Sequence, residues 1–576
     1  MIRPLTLVTG ALLLLGGCSA SAARDYYVDP VIGSDSAAGT SATAAWRHAP
    51  GDPAATAKAA ATTLNPGDSV RFKGGSAYRG AVVVNGDGAA GKPISFTSYG
   101  SGNAVIDGAD PVASATPCRS QAECGGAADW RDLTLVAFAL PPTAFVKLYD
   151  SHGPLVEAQL PAPRDPFFAD SIDGYAVSPL ADKAVIESGR LPAPELAGRL
   201  GGSPGGTLSI WVAGNQVVRR VVTGIDGDTL LFDPDGIILY DNRPGRYALM
   251  GVAAAISAPG QYAVIAPGRA VLRPRPGGGA LLIGNGRGGI DLGGRSWITV
   301  TKLTFTRQTA AAGAQRQGLP IDHSGKASTG IVIASNRFEN SALWNGQGVI
   351  TLRNLDGATV ADNVIDTIER GSGLRVGGKV SRLTVSGNTI TRVGRTGIAF
   401  LGVSDSSITG NVIDGLLGIH GNGISLYLTN RRITVADNRV TGTTRPMTFH
   451  GDKNQTAPGD HDFVIERNIF IATDTAQAAL TSWGAATRGV TIRNNVLVAP
   501  KAGLLLNGSD SGLVVEGNAA SGIIYNKGEG IGWKVDANRE AAKSLRLSGK
   551  DAGKDVAALC EAAGLARGKT LGGGPC

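Results

Sequence analysis

The sequence predicts an all-β protein whose main part is a parallel β-helix, a solenoid built from coils of about 25 residues. The composition is the first observation: 83 of 576 residues are glycine, 5% are aromatic and 18% are charged, which is typical of short strands joined by many turns. The 43% hydrophobic content is enough for a folded core. The second observation is a repeat, which runs ASNRF, ADNVI, SGNTI, TGNVI, ADNRV, ERNIF, RNNVL and EGNAA.

Each repeat carries an asparagine, and successive asparagines are 23 to 30 residues apart. They are Asn336, Asn363, Asn388, Asn411, Asn438, Asn468, Asn495 and Asn518. In a solenoid, stacked asparagines can hydrogen-bond along the axis and satisfy polar groups at a buried turn. Leucine-rich repeats share this period, but the leucine framework that they need is absent. The repeat therefore favours a parallel β-helix.

A second strand follows in each coil, in the segments GVITLR, GLRVGG, GIAFLG, GISLYL, PMTFHG, ALTSWG and GLLLNG. Side chains alternate between the two faces of a strand, so the mostly apolar second and fourth positions should point inward. The third and fifth positions should then point outward. These are Ile350/Leu352, Arg375/Gly377, Ala399/Leu401, Ser425/Tyr427, Thr448/His450, Thr481/Trp483 and Leu505/Asn507.

Stacked strands lie about 4.8 Å apart, so outward residues of neighbouring coils should form a groove. We expect Arg375, Tyr427 and His450 in its centre, with His420 at the turn that enters the strand of Tyr427. A guanidinium can neutralise a uronic acid carboxylate, and histidine and tyrosine can exchange the proton at C5 and the proton of the leaving oxygen. Expected substrate-binding residues are Trp483, Arg353, Arg370, Arg395, Arg445, Asn507 and Lys453.

Two regions resemble known enzymes. Residues 26–108 contain YYVDPVIGSDSAAGTS, NPGDSVRFKGGSAYRGAVVV and GKPISFTSYGSGNAVIDGAD, which resemble the opening of right-handed parallel β-helix carbohydrate-active enzymes, including polysaccharide lyases such as chondroitinase B and alginate lyases. Residues 237–276 resemble a β-rich insertion of some bacterial β-helix glycosidases and lyases. The resemblance implies a right-handed solenoid that acts on carbohydrate.

That lyase group uses a lysine and an arginine on neighbouring coils, often with calcium. The pair has no counterpart here: Lys379 follows its strand, and no acidic cluster has calcium-like spacing. We therefore expect no metal and no cofactor; calcium stays an open alternative for which the sequence shows no site.

The leading functional prediction is a polysaccharide lyase, and three alternatives stay open. A glycoside hydrolase needs two carboxyl groups at suitable separation. Its candidates lie only at edges and turns: Asp291, Asp322, Glu369, Asp414 and Asp452. A C5 epimerase would share the lyase chemistry, and a non-catalytic protein would bind sugar through Trp344, Trp483 and the arginines. Arg375 has a purely structural alternative, an ion pair with Glu369.

The N-terminus predicts export. Arg3 precedes a short apolar run that ends in Leu15-Gly16-Gly17-Cys18, which resembles the lipobox of bacterial lipoproteins, where the cysteine is acylated. An ordinary cleaved signal peptide is the alternative. We expect a protein of the periplasm or cell surface that a lipid anchors to a bacterial membrane, with the outer membrane favoured. In this oxidising compartment we expect two disulfides, Cys118–Cys124 and Cys560–Cys576. The net charge of +7 favours an acidic polysaccharide over nucleic acid as partner, and we expect a monomer.

The predicted organisation follows from these features. Residues 1–18 form the signal peptide, 19–27 a tether, 28–110 the N-terminal cap with the first coils, and 111–285 a β-rich insertion. Residues 286–530 form the regular β-helix with the groove, and 531–576 a capping tail with two helical stretches, NREAAKSL and DVAALCEAAGLA.

Overall fold

A computed structural model describes most of the chain. The described residues are 22–141, 143, 145–162, 175–178, 183–200, 206–213, 216–239, 245–311, 318–344, 346–416, 418, 420–451, 461–473, 476–526, 530, 532–540, 570–571 and 574–575.

A parallel β-helix forms the main body, as the repeat predicts. Its larger sheet has 21 strands, which occur in two side-by-side ladders. The ladder that carries the groove, here called the groove ladder, contains Val82–Val83, Ile290–Asp291, Ile321–His323, Gly348–Ala361, Ser372–Ser386, Ile398–Thr409, Asn422–Tyr427, Arg445–Phe449, Ala478–Ser482, Ala502–Asn507 and Ile523–Asn526. The other ladder contains Asp25–Val28, Ser69–Lys73, Ile94–Tyr99, Ile298–Thr301, Ser328–Ala334, Arg431–Ala436, Val464–Glu466, Thr491–Arg493, Val514–Glu516 and Lys534–Asp536, and three long strands of the first list bend into it.

A second parallel sheet of 12 strands closes the coils. Its strands are Ala77–Tyr78, Ala104–Asp107, Leu303–Thr306, Arg337–Ala342, Val364–Glu369, Thr389–Val393, Val412–Asp414, Arg439–Thr443, Ile469–Ala472, Val496–Val498, Ala519–Ala520 and Arg539–Glu540. Inward apolar side chains stack from coil to coil between the sheets. Phe305 and Phe338, for example, lie with ring centroids 4.9 Å apart and planes 8° from parallel.

The predicted asparagine ladder is present at the turn between the sheets. All eight asparagines are buried, and each side chain bonds to the asparagine of the next coil. Asn388 is representative: its Nδ2 donates to Asn411 Oδ1 at 2.9 Å and to the carbonyl of Val360 at 2.9 Å. The ladder continues to Asn538, which the repeat analysis does not include. The asparagines hold the register of the coils because each one satisfies backbone groups that the core would otherwise leave unpaired.

The insertion folds as mainly antiparallel sheets with their own apolar clusters; Val156–Glu157 and Gln261–Ala266 pair in parallel. Its strands are Ala109–Pro111, Ser114–Pro117, Thr134–Ala137, Leu148–Asp150, Gly153–Pro154, Val156–Glu157, Gln159–Leu160, Ala176–Ser178, Arg190–Pro192, Thr207–Ala213, Gln216–Asp226, Thr229–Phe232, Gly245–Met250, Gln261–Ala266, Arg269–Leu272 and Leu282–Gly284. The helices of the described chain are short: Ala57–Ala61, Lys183–Glu187 and Pro194–Arg199, with 3₁₀ turns at Ala42–Ala44, Trp130–Asp132 and Ala253–Ala255. Cys118 and Cys124 form the predicted disulfide, with Cα atoms 6.1 Å apart.

The C-terminal region differs from the prediction. Lys534–Asp536 and Arg539–Glu540 add a further coil, because Arg539–Glu540 pairs with Ala519–Ala520 where the sequence suggests the start of a helix. Near the end of the chain, Thr570–Leu571 pairs with Gly574–Pro575. The second helical stretch, the segment 1–18 with Cys18, and the pair Cys560–Cys576 lie outside the described residues.

No helix in the described ranges is both long enough and apolar enough to cross a membrane.

Candidate functional site

The groove ladder presents two rows of outward side chains. The strand pairing defines the first row, here called the floor row: Asp291, Asp322, Thr351, Arg375, Ala399, Ser425, Thr448, Thr481 and Leu505. Two positions further along each strand is the rim row: Arg353, Gly377, Leu401, Tyr427, His450, Trp483 and Asn507. A third row, here called the wall, occupies the turns that enter the strands: Trp344, Arg370, Arg395, His420 and Arg445.

One coil departs from the predicted facing. Ile350 and Leu352 were expected outside, but both are fully buried, and Thr351 takes the floor position beside Arg375. The expectation aligned this coil one residue out of step, since Gly348 pairs with Ser372 and not with Gly373. A shift of one residue exchanges the two faces of a strand.

Tyr427 is the centre of the site. Its Oη accepts a hydrogen bond of 2.7 Å from Asn422 Nδ2 and lies 3.3 Å from His420 Nε2. Its ring centroid is 4.8 Å from that of His450, and the His450 ring is 4.5 Å from that of Trp483. The structure therefore brings together four residues that the sequence singles out.

Asn422 belongs to this group and is missed by the sequence reasoning. It is 1% exposed, and its Nδ2 also donates to Ser425 Oγ at 3.0 Å. Among the described residues its Oδ1 has no hydrogen-bond partner. Such an atom is costly to bury and often marks a place where a ligand or water binds. The available signal was its position two residues after His420, in a stretch that reads as an ordinary glycine-rich turn.

His420 is held as a neutral imidazole. Its backbone is left-handed, with φ of 59°, which aims the ring from the wall toward Tyr427. Burial, followed by repulsion from Arg395 and Arg445, lowers its pKa to about 3. A neutral ring can accept the phenol proton of Tyr427 at Nε2, while its Nδ1 lies 3.5 Å from Asn422 Nδ2.

Arg375 is a largely buried cation without a counter-ion among the described residues. Burial is the main cause that lowers its pKa to about 10, and Arg395 and Arg353 add to the effect. The alternative ion pair with Glu369 is wrong. Glu369 is bound by Lys147 of the insertion and by Arg370, whose Nε lies 3.1 Å from Glu369 Oε1. A buried charge of this kind calls for an anionic ligand.

The remaining predicted binding residues have different environments. Arg353 is partly exposed and Arg445 exposed, and neither side chain forms an ion pair with any residue in the described ranges. Arg370 lies over the ring of Phe145, 4.8 Å from its centroid, and is committed to Glu369. Asn507 is 4% exposed and donates to the carbonyl of Gly484, so it braces the fold. Lys453 lies outside the described residues.

The candidate carboxylates lie in different parts of the fold. Asp291 and Asp322 stand directly in register on neighbouring strands of the floor row. Asp291 is exposed, whereas Asp322 is 5% exposed and accepts a hydrogen bond from Ser324. Asp414 is exposed on the second sheet, where it accepts from Thr441, and Asp452 lies outside the described residues. In the described part of the chain, no group of three histidine, cysteine or acidic residues is placed to hold a metal ion.

Comparisons with known proteins support the fold. A family model described as "Right handed beta helix region" matches residues 288–460. A solved structure named a glycoside hydrolase has a TM-score of 0.57 and 13% identity, covering 94% of this chain and 99% of its own. A solved complex of XylC with xylose has a TM-score of 0.44 and 11% identity, and the alignment covers 87% of this chain and 70% of the other. A GH136 lacto-N-biosidase from Eubacterium ramulus has a TM-score of 0.35 and 10% identity, and the alignment covers 90% of this chain and 67% of the other. No curated protein matches the sequence significantly. The predicted right-handed parallel β-helix is thus confirmed.

Proposed function

We propose that this protein is a polysaccharide lyase that cleaves an acidic, uronic-acid-containing polysaccharide by β-elimination. One observation carries the proposal: Arg375, a partly buried guanidinium without a counter-ion among the described residues, lies on the same strand ladder as the contact between Tyr427 and His420. The first group needs an anion, and the second can move protons. Both requirements meet in the elimination of a glycosidic oxygen from a uronate.

In the proposed reaction, the uronate carboxylate pairs with Arg375, and Arg353 and Arg395 reinforce the local positive charge. Neutralisation of the carboxylate makes the C5 proton removable, because the carbanionic charge that develops can spread onto the carboxyl group. The site thus stabilises a species that exists only along the reaction path, which is the condition for catalysis.

The proton transfers can be written so that they balance. His420 Nε2 takes the C5 proton, the electron pair forms the C4–C5 double bond, and the C4–O bond breaks. Tyr427 gives its phenol proton to the departing oxygen. After release, His420 returns a proton to Tyr427 across their 3.3 Å contact. Asn422 keeps the phenol oxygen in place by its donated hydrogen bond.

Substrate binding also adjusts the base. The arginines that lower the pKa of His420 would be offset by the incoming carboxylate, so the pKa of His420 should rise when the substrate is bound. The imidazole then becomes a stronger base only in the complex, the state in which the C5 proton is present.

A substrate panel tests the proposal. We expect one or more acidic polysaccharides to yield products with the ultraviolet absorbance of unsaturated uronates. Tyr427→Phe and His420→Asn should lower turnover strongly while the thermal unfolding midpoint stays near that of the wild type. Cleavage without that absorbance would reject elimination. Full activity in both variants would reject the assigned residues.

A glycoside hydrolase is the second candidate, and the register of Asp291 and Asp322 favours it. Strands about 4.8 Å apart can hold two carboxyl groups near the 5–5.5 Å of retaining glycosidases. Hydrolysis would produce new reducing ends without ultraviolet absorbance, and Asp291→Asn or Asp322→Asn would abolish them. A C5 epimerase would change the uronate composition and leave the chain length unchanged.

We also propose export and acylation at Cys18, on the lipobox-like sequence alone. Metabolic labelling with a radioactive fatty acid should mark the wild type and not Cys18→Ala. Labelling of both would reject the anchor.

A further inference from the structure

We propose that Trp344 and Phe145 form a binding subsite for an uncharged sugar next to the arginine cluster, so that the preferred substrate is a heteropolysaccharide in which a uronate is flanked by a neutral residue. This inference rests on the proposed function and adds the class of polymer to it.

The geometry of Trp344 is the first support. Trp344 belongs to the wall and precedes the strand of Thr351, one coil before Arg375. Its side chain is 42% exposed although the residue lies beside the groove. An exposed indole of this size offers an apolar platform, on which the C–H face of a sugar ring can stack.

The insertion fixes this platform. Phe145 meets Trp344 edge to face, with centroids 6.3 Å apart and planes at 84°. The other neighbour of Phe145 is the guanidinium of Arg370, 4.8 Å from its ring centroid. An edge-to-face contact occupies little of the indole, so Trp344 is held in one orientation while much of its surface stays open to solvent.

Charge distinguishes this end of the groove from its centre. Lys147 and Arg370 share the carboxylate of Glu369, which offsets one of their two positive charges. Further along the floor row in the same direction stands Asp291, which is exposed and forms no ion pair with any described residue. Arg353 lies on the rim opposite Trp344, on the same coil, and adds to the positive charge around Arg375.

A polymer that runs along the solenoid axis meets these environments in sequence. Its uronate would bind at Arg375, and the next residue would lie over Trp344, where a second carboxylate would meet fewer positive charges than at Arg375 and would approach Asp291. An uncharged sugar has no such cost. The arrangement selects a neutral neighbour for the uronate that is cleaved.

Binding by affinity electrophoresis tests the inference in a Tyr427→Phe background, which prevents turnover. The probes are hyaluronan, in which glucuronate alternates with uncharged N-acetylglucosamine, and polygalacturonate, which is charged at every residue. We expect tighter retention by hyaluronan. Adding Trp344→Ala should weaken hyaluronan binding by about fivefold to tenfold, the range for one aromatic contact, and should change polygalacturonate binding by less than about twofold.

Two further variants guard the interpretation. Phe145→Ala should give a smaller loss in the same direction, since the platform loses only its support. Trp130→Ala serves as the matched control, because this tryptophan lies elsewhere in the insertion under Arg131 and should leave both affinities unchanged. The unfolding midpoint of each variant shows whether the insertion remains folded.

The possible failures are distinguishable. If Trp344→Ala weakens both polymers equally, or the homopolymer more, the neutral subsite is refuted and the lyase proposal stands. If polygalacturonate binds better than hyaluronan to the Tyr427→Phe protein with Trp344 intact, the heteropolymer preference is refuted. If neither polymer is retained, and Arg375→Met changes nothing, the anion-binding groove itself is refuted, and both proposals fall together.

Discussion

Replacing Arg375 by methionine should stabilise the free protein while it removes activity. Burial and two neighbouring arginines lower the pKa of Arg375 to about 10. Relative to an ordinary guanidinium, this lowering of the pKa corresponds to about 3 kcal/mol of unfavourable interaction in the folded state. Methionine keeps much of the apolar stem and removes the charge, so part of this free energy should be recovered, about 1–3 kcal/mol.

Thermal unfolding and the ultraviolet product assay, run on the same preparations, measure the two effects. We expect the midpoint of Arg375→Met to rise by a few degrees and the product signal to disappear. Arg467→Met is the control. Arg467 is bound by Asp437 and Glu466, so the protein should not gain stability when this arginine is replaced. A lower midpoint for Arg375→Met would refute the reasoning, since it would mean that the guanidinium is held by favourable contacts.

Three further predictions concern the proton path and the fold. In His420→Asn the new residue tolerates the left-handed backbone. The pKa of His420 is about 3 in the folded state and about 6.5 when unfolded, so the wild type should lose stability relative to this variant as pH falls from 6.5 toward 3, by at most about 5 kcal/mol. Urea titrations measure this difference in the free energy of unfolding, and a difference that stays constant with pH would contradict a buried neutral imidazole. Tyr427→Phe should lower kcat about 10²- to 10⁴-fold with little change in polymer binding, as expected for a lost proton donor, and a change confined to KM would contradict this role. Asn388→Ala should cost about 3 kcal/mol or more in chemical denaturation, since it leaves the Val360 carbonyl without the Asn388 donor and the Asn363 N–H and Nδ2 without their acceptor, and replacement of the exposed Asn103 by alanine should not.

The repeat of asparagines was enough to predict the solenoid, because each of them satisfies the same buried backbone groups once per coil. Local patterns also predicted the facing of Tyr427, His450 and Trp483, since alternation along a strand depends only on the strand itself. The same rule failed for Ile350, where the pattern of the segment does not show which residue pairs with Ser372. The pairing between coils decides that question.

The electrostatics of the site were beyond the sequence. Whether Arg375 has a counter-ion depends on Lys147, which comes from the insertion 222 residues before Glu369 and takes up that carboxylate. The role of Asn422 depends in the same way on the left-handed turn at His420, which brings the imidazole back to the phenol. The sequence by itself determined the coil, its core and the outward rows, because these follow from short-range periodicity. The charge state of the groove and its neighbouring platform were decided by the tertiary structure alone, because they arise where distant segments compete for the same partners.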